Sequence, residues 1–532
     1  MGTIGKSAHL AVPALACKRY RPKLSKAAIA VWKPKSCPGI KIILTRNSEI
    51  ILSSKTTSTT ELPAEPELES LPADPLDMED HARKGLESTA VRATFWVVTD
   101  YGASMGLRIV NSMVLTRLLI PEAFGLMTLV ATLISGIGLM ADIGLNSSIV
   151  QHPKGDDPVV LNTAWTLQVL RGAGICLVAL LLAWPMSLFY HEPRLLLLLP
   201  ALSLNIVINS FNSTNLLSMS RHMGVRRMFM LDITTQLFGL LATAALALAF
   251  RSVWALVLGA TLSNAYKMVL SHRKRIIPGI TNRFCWDKES VHSLMHFGKW
   301  ILLGTAIFFF ASQADRLIMG RLISFTLLGI YGIAYSVSDI PRQIINAFSN
   351  RVGFPFIAKM SHLPKPEFRK VFLQYRFRTL LAGGLMLCLM VHLGGFLIVT
   401  MYDKRYHDAS WMVPILALGL WHTLMYATTT PALLSLGKSK YGALGNAGYF
   451  AAIALAIPAG FHFYGMFGAV VAVAAGDFPL YLVLVSGASR EGVSTWRQDL
   501  QATAAFVAMV AAGFLIRASV PGVPLNIFSP HR

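Results

Sequence analysis

The sequence predicts an all-α membrane protein, a polytopic bundle of about 12–14 transmembrane helices arranged as two six-helix lobes. Three observations carry that prediction. The 532 residues are 54% hydrophobic and only 14% charged, with a mean hydropathy of +0.53, whereas soluble chains carry about a quarter charged residues. Apolar runs of the ~20 residues needed to cross ~30 Å of hydrocarbon recur along the chain. A set of residues also repeats at one fixed offset between the two halves. Ten-residue segments of alternating hydrophobicity, which a membrane barrel needs, are absent.

Residues 1–90 differ from everything after them. Positions 1–55 hold eleven Lys or Arg against one Glu, and 56–87 hold nine acids against two bases. Such composition cannot bury a core and reads as a disordered extension. It also fits a basic, acid-poor transit peptide, or a chain whose translation begins at Met78. A secretory signal core with its cleavage site is not visible.

Thirteen spans follow, near 92–119, 124–149, 161–189, 195–219, 228–250, 252–271, 296–320, 326–349, 379–402, 411–435, 441–461, 464–487 and 500–518. If span 1 begins in the cytoplasm, the inside loops after the even-numbered spans hold 20 Lys or Arg, and the outside connections about 8. That asymmetry is the positive-inside rule and predicts a cytoplasmic N-terminus. The formal charge of +21 thus reports membrane orientation, and nucleic acid is not an expected partner. Spans 1–6 give an N-lobe over 91–271, and a basic cytoplasmic linker covers 272–295. Spans 7–12 give a C-lobe over 296–490, and 491–532 holds the extra span 13 and a short tail.

The two lobes are related in sequence. In "LTRLLIPEAFGLM", Arg117 precedes Gly125 by eight residues; in "MGRLISFTLLGIYG", Arg321 precedes Gly329 by eight. Trp96 and Trp300 each lie 21 residues before their arginine, so one offset of 204 relates all three pairs. Six helices per lobe leave both in the same orientation, a parallel repeat about an axis along the membrane normal. The arginines fall at the outer ends of spans 1 and 7. There they either snorkel to the interface or meet substrate, and Pro121 with Gly125 permits a tight turn.

"ESTAVRATFWVVTDYGASMGLRIVNSMVLTRLLIPEAFGLMTLVATLISGIGLMADIGLNSSIVQ" resembles the opening of the polysaccharide transporter family, the Wzx-type flippases of lipid-linked oligosaccharides. The R-L-L-x-P-E-x-F-G turn and the A-D-x-G-L-x-S-x-I-V-Q end of span 2 carry most of the likeness. "HFGKWILLGTAIFFFASQADRLIMGRLISFTLLGIYGIAYSV" resembles the same family's second half, and the similarity covers about 92–490. It implies a MATE-like, V-shaped two-lobed bundle. Such proteins usually show twelve or fourteen helices, so a thirteenth span is a departure.

Ionisable groups inside spans are costly and usually face a bundle interior or an aqueous cavity. Span 1 places Asp100, Ser104, Arg108 and Asn111 on one face. Arg108 lies sixteen residues beyond Arg92, ~24 Å along the axis, too deep for easy snorkelling. Span 2 adds Asp142 and Asn146, and span 4 adds Asn205, Asn209 and Asn212, with Ser213 and Asn215 nearby. Tyr331, Tyr335, Asp339, Arg342 and Asn346 form a stripe on span 8, where Pro341 loosens the helix and Asp339 can neutralise Arg342. Arg171, Lys267, Lys299 and the Asp315–Arg316 pair are further charges at or within spans, and Asp477 lies in span 12. Two roles fit these groups: a hydrophilic cavity between the lobes, or hydrogen bonds that hold helices together.

Under the resemblance, the guanidinium groups would meet the pyrophosphate of an undecaprenyl-linked oligosaccharide, and amides and tyrosines the sugar hydroxyls. The protein would carry that glycan across the bacterial inner membrane for exopolysaccharide, O-antigen or capsule synthesis. Membrane lipids, a polymerase and chain-length or co-polymerase proteins would be its partners. A drug or metabolite cation antiporter of the same fold is the alternative, although it should favour carboxylates in the cavity. A membrane polymerase is the third case. It would need a sizeable outside loop, and the longest after span 1, "YDKRYHDAS", is short. Neither a P-loop nor a nucleophile elbow appears, so no enzyme activity is expected. The five cysteines (Cys17, Cys37, Cys176, Cys285 and Cys388) show no metal or redox spacing. No cofactor or metal is expected; an H⁺ or Na⁺ gradient, or consumption of the product, would drive transport.

Overall fold

In the computed structural model of the chain, the described residues are 41–44, 50–53, 99, 101–142 and most of the chain from there to 519. Short stretches between 143 and 154, at 222–224 and between 350 and 363 lie outside them, as do the side chains of 295–304. The expectations resting on Trp96, Asp100, Asn146, the Lys299 and Trp300 side chains and Met78 therefore fall outside the described residues. The chain divides into two units, 1–80 and 81–532. In the first, β1 (Lys41–Leu44) and β2 (Ile50–Ser53) pair antiparallel, with Lys41 opposite Ser53 and Leu44 opposite Ile50. The composition of this stretch had suggested no strand.

The second unit is helical, and each predicted span has a counterpart. Helix α1 covers residues 101–118. Helix α2 (Pro121–Met140) starts directly on Pro121, whose missing N–H costs nothing in a first turn. Asp157 caps α3 (Pro158–Tyr190) by accepting from the Val159 N–H at 2.8 Å, and His191, in the left-handed region at φ 57°, ends it. Span 4 is not continuous. Helix α4a (Leu195–Ser210) stops, and α4b (Asn215–Arg221) resumes after four residues. At the break the Ser213 N–H donates to Ser271 Oγ at 3.0 Å, in place of a bond within the helix. Helices α5 (Val225–Phe250) and α6 (Val253–His272) complete the first lobe.

Helix α7 (Lys288–Leu322) begins on Asp287, which accepts from the Ser290 N–H at 2.8 Å. Span 8 divides at Asp339 into α8a (Phe325–Ser338) and α8b (Ile340–Phe348), with Pro341 in the first turn of the second piece. Helix α9 (Lys365–Met401) starts a full fourteen residues before the predicted 379, because the basic stretch 365–378 continues the same helix. Helix α10 (Ala409–Ser435) follows. The stretch Lys440–Ala475 is helical on both sides of Gly465, whose backbone (φ 57°, ψ −142°) turns the chain. That turn separates α11 (440–464) from α12a (466–475), and α12b (Phe478–Arg490) continues past Asp477. Tyr441 packs on Gly487 and Gly460 on Gly468, so the two limbs form an antiparallel hairpin. Helix α13 (Trp496–Ser519) is last.

Eight helical stretches among the described residues are long and apolar enough to cross a membrane, the α11–α12 hairpin counting as one. Helix α10 is the most enclosed, with 61% of its apolar window buried, against 17% for α5 and α13. It sits at the centre of its lobe, between α9, α8a and α12. The outer faces of α5 and α13 are left for lipid, which an apolar helix can meet without unsatisfied backbone groups.

The lobes meet mainly through α2, which packs along α8a and α7. At the centre of the α2–α8a crossing are the two repeat glycines. A Cβ on Gly125 would lie 1.8 Å from the Phe325 carbonyl oxygen, and one on Gly329 would lie 2.0 Å from that of Pro121. Phe325 is Pro121 shifted by the same 204 residues. The contact is therefore reciprocal, and only glycine permits it. The largest buried cluster surrounds it, with Leu119, Leu126, Leu129, Leu199, Leu328, Tyr331, Tyr406 and Met412. This core lies toward the end of the bundle that holds the α1–α2, α3–α4, α7–α8 and α9–α10 turns.

Candidate functional site

Helices α1, α2, α5, α6 and α8a enclose a cavity of about 440 Å³. Its polar lining comes from Arg108, Asn111 and Ser112 on α1, Gln236 and Thr243 on α5, Ser263 on α6 and Ser336 on α8a. Leu107, Leu115, Phe124, Met127, Leu240, Leu256 and Ile333 supply apolar wall. Small residues bring α5 and α6 together behind it: a Cβ on Gly259 would sit 2.1 Å from Thr243 Oγ1, and one on Gly239 2.7 Å from Ser263 Oγ. Gln236 Nε2 donates to Ser104 Oγ at 2.8 Å and ties α5 to α1.

Arg108 is exposed within this helix array and has no hydrogen-bond or ion-pair partner among the described residues. The Asn111 side-chain oxygen Oδ1 is buried and also unpartnered among them. None of the lining residues is a carboxylate. The cavity thus offers one free guanidinium, an unused amide oxygen and several hydroxyls, a set that suits an anion carrying neutral polar groups.

The other singled-out residues are placed differently. Arg171 lies 3.4 Å from Asp142 and donates to the Gly138 carbonyl at 2.9 Å. Lys267 bonds Asp232 at 2.8 Å. Asn264 donates to Asn205 at 3.3 Å, and Asn212 to Asn209. In the C-lobe, Tyr331 donates to Asp315 at 2.6 Å, and Arg316 bonds Gln313 and lies 4.8 Å over the Tyr335 ring. Arg342 pairs with Asp339 and reaches Tyr335 Oη at 3.2 Å, while Gln343 donates to Asp339 at 3.0 Å. Of the candidates whose side chains are described, only Arg108 and Asn111 line the 440 Å³ cavity.

Tyr335 and Asp339 instead share a small polar pocket with Tyr449 and Asp477 inside the C-lobe, where Thr423 donates to Asp477. A further buried cluster was not singled out from sequence. Arg376, with no exposed surface, pairs with Asp499 at 2.6 Å and donates to the Met425 carbonyl and Gln498 Oε1, both at 3.0 Å. Tyr481 and Thr495 also donate to Asp499, at 3.2 and 3.0 Å. This network fastens α13 to α9, α10 and α12b.

Asn215 and Ser213, read with span 4 as either cavity-lining or helix-joining groups, hold the linker. Asn215 accepts from the Ile280 N–H at 3.1 Å and donates to the Ile280 carbonyl at 2.8 Å. Asn282 bridges Ser213 and Thr214 at 2.7 and 2.6 Å. The N–H groups of Arg283, Cys285 and Asp287 donate to Asn162, Thr166 and Thr163 at 2.9, 3.0 and 3.4 Å. The segment 280–287 is a strap laced to α3 and to the α4 break.

At the turn end the two lobes are latched. Arg405, on a short 3₁₀ turn after α9, donates to the Thr116 and Arg117 carbonyls at 3.2 Å each, capping the end of α1. Tyr406, fully buried, donates to the Leu119 carbonyl at 3.2 Å and meets Phe124 edge-on. Tyr190 donates to the Leu317 carbonyl at 3.3 Å. Asp403 accepts from Arg405 Nε at 2.8 Å, and that hydrogen bond holds its carboxyl below the usual range. The repeat arginines stay at this rim: both are exposed, and Arg321 lies 3.4 Å from His191 Nε2.

Known proteins resemble the chain in fold and, over part of its length, in sequence. The solved lipid II flippase MurJ in an inward closed conformation aligns with a TM-score of 0.61 at 10% identity, over 82% of this chain and 95% of that one. An inward-facing multidrug resistance MATE family transporter aligns at 0.55 and 11% identity, over 76% and 95%. A mutant form of the Vibrio cholerae MATE transporter VcmN aligns at 0.52 and 14%, over 77% and 98%. At such identities these likenesses establish the fold, a two-lobed polytopic helical bundle. The lipopolysaccharide biosynthesis protein WzxC of Escherichia coli (strain K12) is 26% identical over 278 residues, 52% of this chain and 56% of its own length. The succinoglycan biosynthesis transport protein ExoT of Rhizobium meliloti (strain 1021) is 22% identical over 302 residues, 56% of this chain and 60% of its own length. The matches thus span rather more than half the length of these curated relatives. The family model for polysaccharide biosynthesis proteins matches residues 114–411, more than half of the chain, and the chain belongs to that family.

Proposed function

We propose that this protein is a flippase that moves an undecaprenyl-pyrophosphate-linked oligosaccharide from the cytoplasmic to the periplasmic leaflet of a bacterial inner membrane. One observation carries this reading: the interlobe cavity presents the Arg108 guanidinium, unpaired among the described residues, beside amide and hydroxyl groups, with no carboxylate in its lining. The functions named for WzxC and ExoT, and the lipid flippase among the fold neighbours, support the substrate class. Alternation between lobes would pass the glycan through the cavity while the lipid tail stays in the bilayer. The positive-inside count supports a cytoplasmic N-terminus and linker. With the turn end latched, the cavity would then face the cytoplasm. We read the protein as a transporter without enzymatic chemistry, driven by an H⁺ or Na⁺ gradient or by product consumption. A polymerase and chain-length proteins of the same pathway are its expected partners. The segment before Met78 is read as dispensable, so expression from Met78 should support export as well as the full chain does.

The test is export of polysaccharide by a strain lacking its own flippase. Arg108→Ala should abolish export at unchanged membrane abundance. Arg108→Lys should restore only part, because an ammonium lacks the planar fork that matches phosphate oxygens. Full export by the Ala variant at normal abundance would reject Arg108 as the phosphate-binding group. A cation antiporter of this fold would instead respond to loss of buried carboxylates such as Asp477 and tolerate Arg108→Ala.

A further inference from the structure

The strap that joins the lobes has a second face. Its backbone groups and the Asn282 side chain are engaged toward α3 and the α4 break by the bonds described above. Phe284 leans on Trp165 at a centroid distance of 4.7 Å, yet 67% of it remains exposed, and Trp286 is 55% exposed. Arg273, Lys274, Arg275, Arg283 and Lys288 are all exposed, and none has a side-chain partner among the described residues. Between residues 273 and 289 the acids are Asp287 and Glu289. Asp287 is committed to the cap of α7, where it accepts from Ser290 N and Oγ at 2.8 and 2.6 Å, which leaves Glu289 as the exposed acid of the segment.

Two large aromatic side chains and five cations therefore stand on the short segment 273–288, whose 280–287 part is fixed by that lacing. It lies at the level where α6 ends and α7 begins, the rim of the membrane-crossing bundle. Aromatic rings with one wet and one apolar side settle at the headgroup level of a bilayer. Clustered Lys and Arg beside a membrane helix draw anionic headgroups. A soluble acidic partner would use the cations but would leave Phe284 and Trp286 without a role. A bilayer surface uses both.

We propose that the segment 273–288, the strap with its flanking residues, is a docking surface for anionic phospholipid headgroups of the bilayer around the protein, its cations meeting phosphate and its two aromatic rings entering the interface. Because the strap is laced to α3 and α4, lipid held there is held by the N-lobe. The cationic side chains take no part in the lacing, so they can be removed without undocking it.

The test uses the full chain and native mass spectrometry of retained phosphatidylglycerol and phosphatidylcholine, with hydrogen exchange over 279–287 as the check on docking. The wild type should retain phosphatidylglycerol in preference to phosphatidylcholine. In Arg273→Gln/Lys274→Gln/Arg275→Gln, that preference should fall by about a hundredfold, roughly fivefold per cation, at unchanged exchange protection. Adding Arg283→Gln and Lys288→Gln should erase it. Trp286→Ser should weaken retention of both lipids without changing their ratio. Undiminished preference in the five-site variant would overturn the proposal. So would equal retention of the two lipids by the wild type. Displacement of phosphatidylglycerol by millimolar inorganic phosphate alone would mark a free-anion site instead and refute lipid docking.

Discussion

The latch at the turn end makes the balance between conformations measurable. Arg405→Ala removes two hydrogen bonds from a charged donor to the Thr116 and Arg117 carbonyls. Such bonds contribute ~1.5–3 kcal/mol when buried. The Arg405 side chain is 40% exposed, so about 0.5–1 kcal/mol each is the fair discount. Tyr406→Phe removes one hydroxyl from a ring with no exposed surface and leaves the Leu119 carbonyl without that donor, at about 1–3 kcal/mol. The double variant should thus lose about 2–5 kcal/mol from the latched state, a shift of roughly thirty-fold or more in the equilibrium between lobe arrangements. Pulsed electron spin resonance between labels at Leu248→Cys in α5 and Tyr464→Cys in α11, in an otherwise cysteine-free chain, would read it out. The wild type should give mainly one distance. The double variant should populate a second, longer one, and each single variant should lie between. Identical distance distributions in a double variant that still elutes as a folded protein would show that these bonds do not hold the lobes together.

Acid should act on the same latch. Asp403 has a depressed folded pKa because it accepts from Arg405, so its contribution is present above the ordinary carboxylate pKa of about 4. It is lost as pH falls through the lower folded value; the longer distance should therefore appear only below about pH 4, and Asp403→Asn should show it at neutral pH. Arg376→Met should lower thermal stability in detergent by about 3–5 kcal/mol, since Asp499, 3% exposed, is left without its cation. Arg376→Met/Asp499→Leu should recover most of that, and equal melting of the single and double variants would refute the pairing. Gly329→Ala should disrupt the α2–α8a crossing, because its Cβ would meet the Pro121 carbonyl oxygen at 2.0 Å. Gly332→Ala, with only Thr128 Oγ1 at 3.3 Å, is the control expected to fold and export normally.

The spans and the repeat were legible because hydrocarbon thickness and internal symmetry both leave periodic marks in a sequence. The fates of the polar residues were not, because a charge inside a span shows no sign of which helix holds its partner. Arg171 and Lys267 looked like cavity cations, yet Asp142, just past the end of α2, and Asp232, on α5, pair with them. Asp339 and Arg342 are the instructive exception: the two partners lie three residues apart in sequence, where spacing alone suffices. Arg376 escaped notice because the charged stretch 365–378 reads as loop, although the helix runs through it. The roles of Asn215 and Ser213 depend on an extended linker returning to the α4 break, and no local pattern encodes that return.

The reciprocal glycine contact has a consequence for the symmetry of the bundle. Gly125 touches the backbone at Phe325 while Gly329 touches it at Pro121, so each half offers the other the same surface. That is the defining property of an isologous interface, the kind by which two identical subunits form a closed dimer about a two-fold axis. At this crossing the two lobes meet as two copies of one subunit would, although they belong to a single chain. At such a contact one residue type has to satisfy both sides at once, and glycine does. Away from the crossing the two halves differ: the N-lobe carries the cavity arginine Arg108, and the C-lobe the buried acids Asp315, Asp339 and Asp477. At the crossing, divergence remains constrained, since a side chain added to either half collides with the backbone of the other.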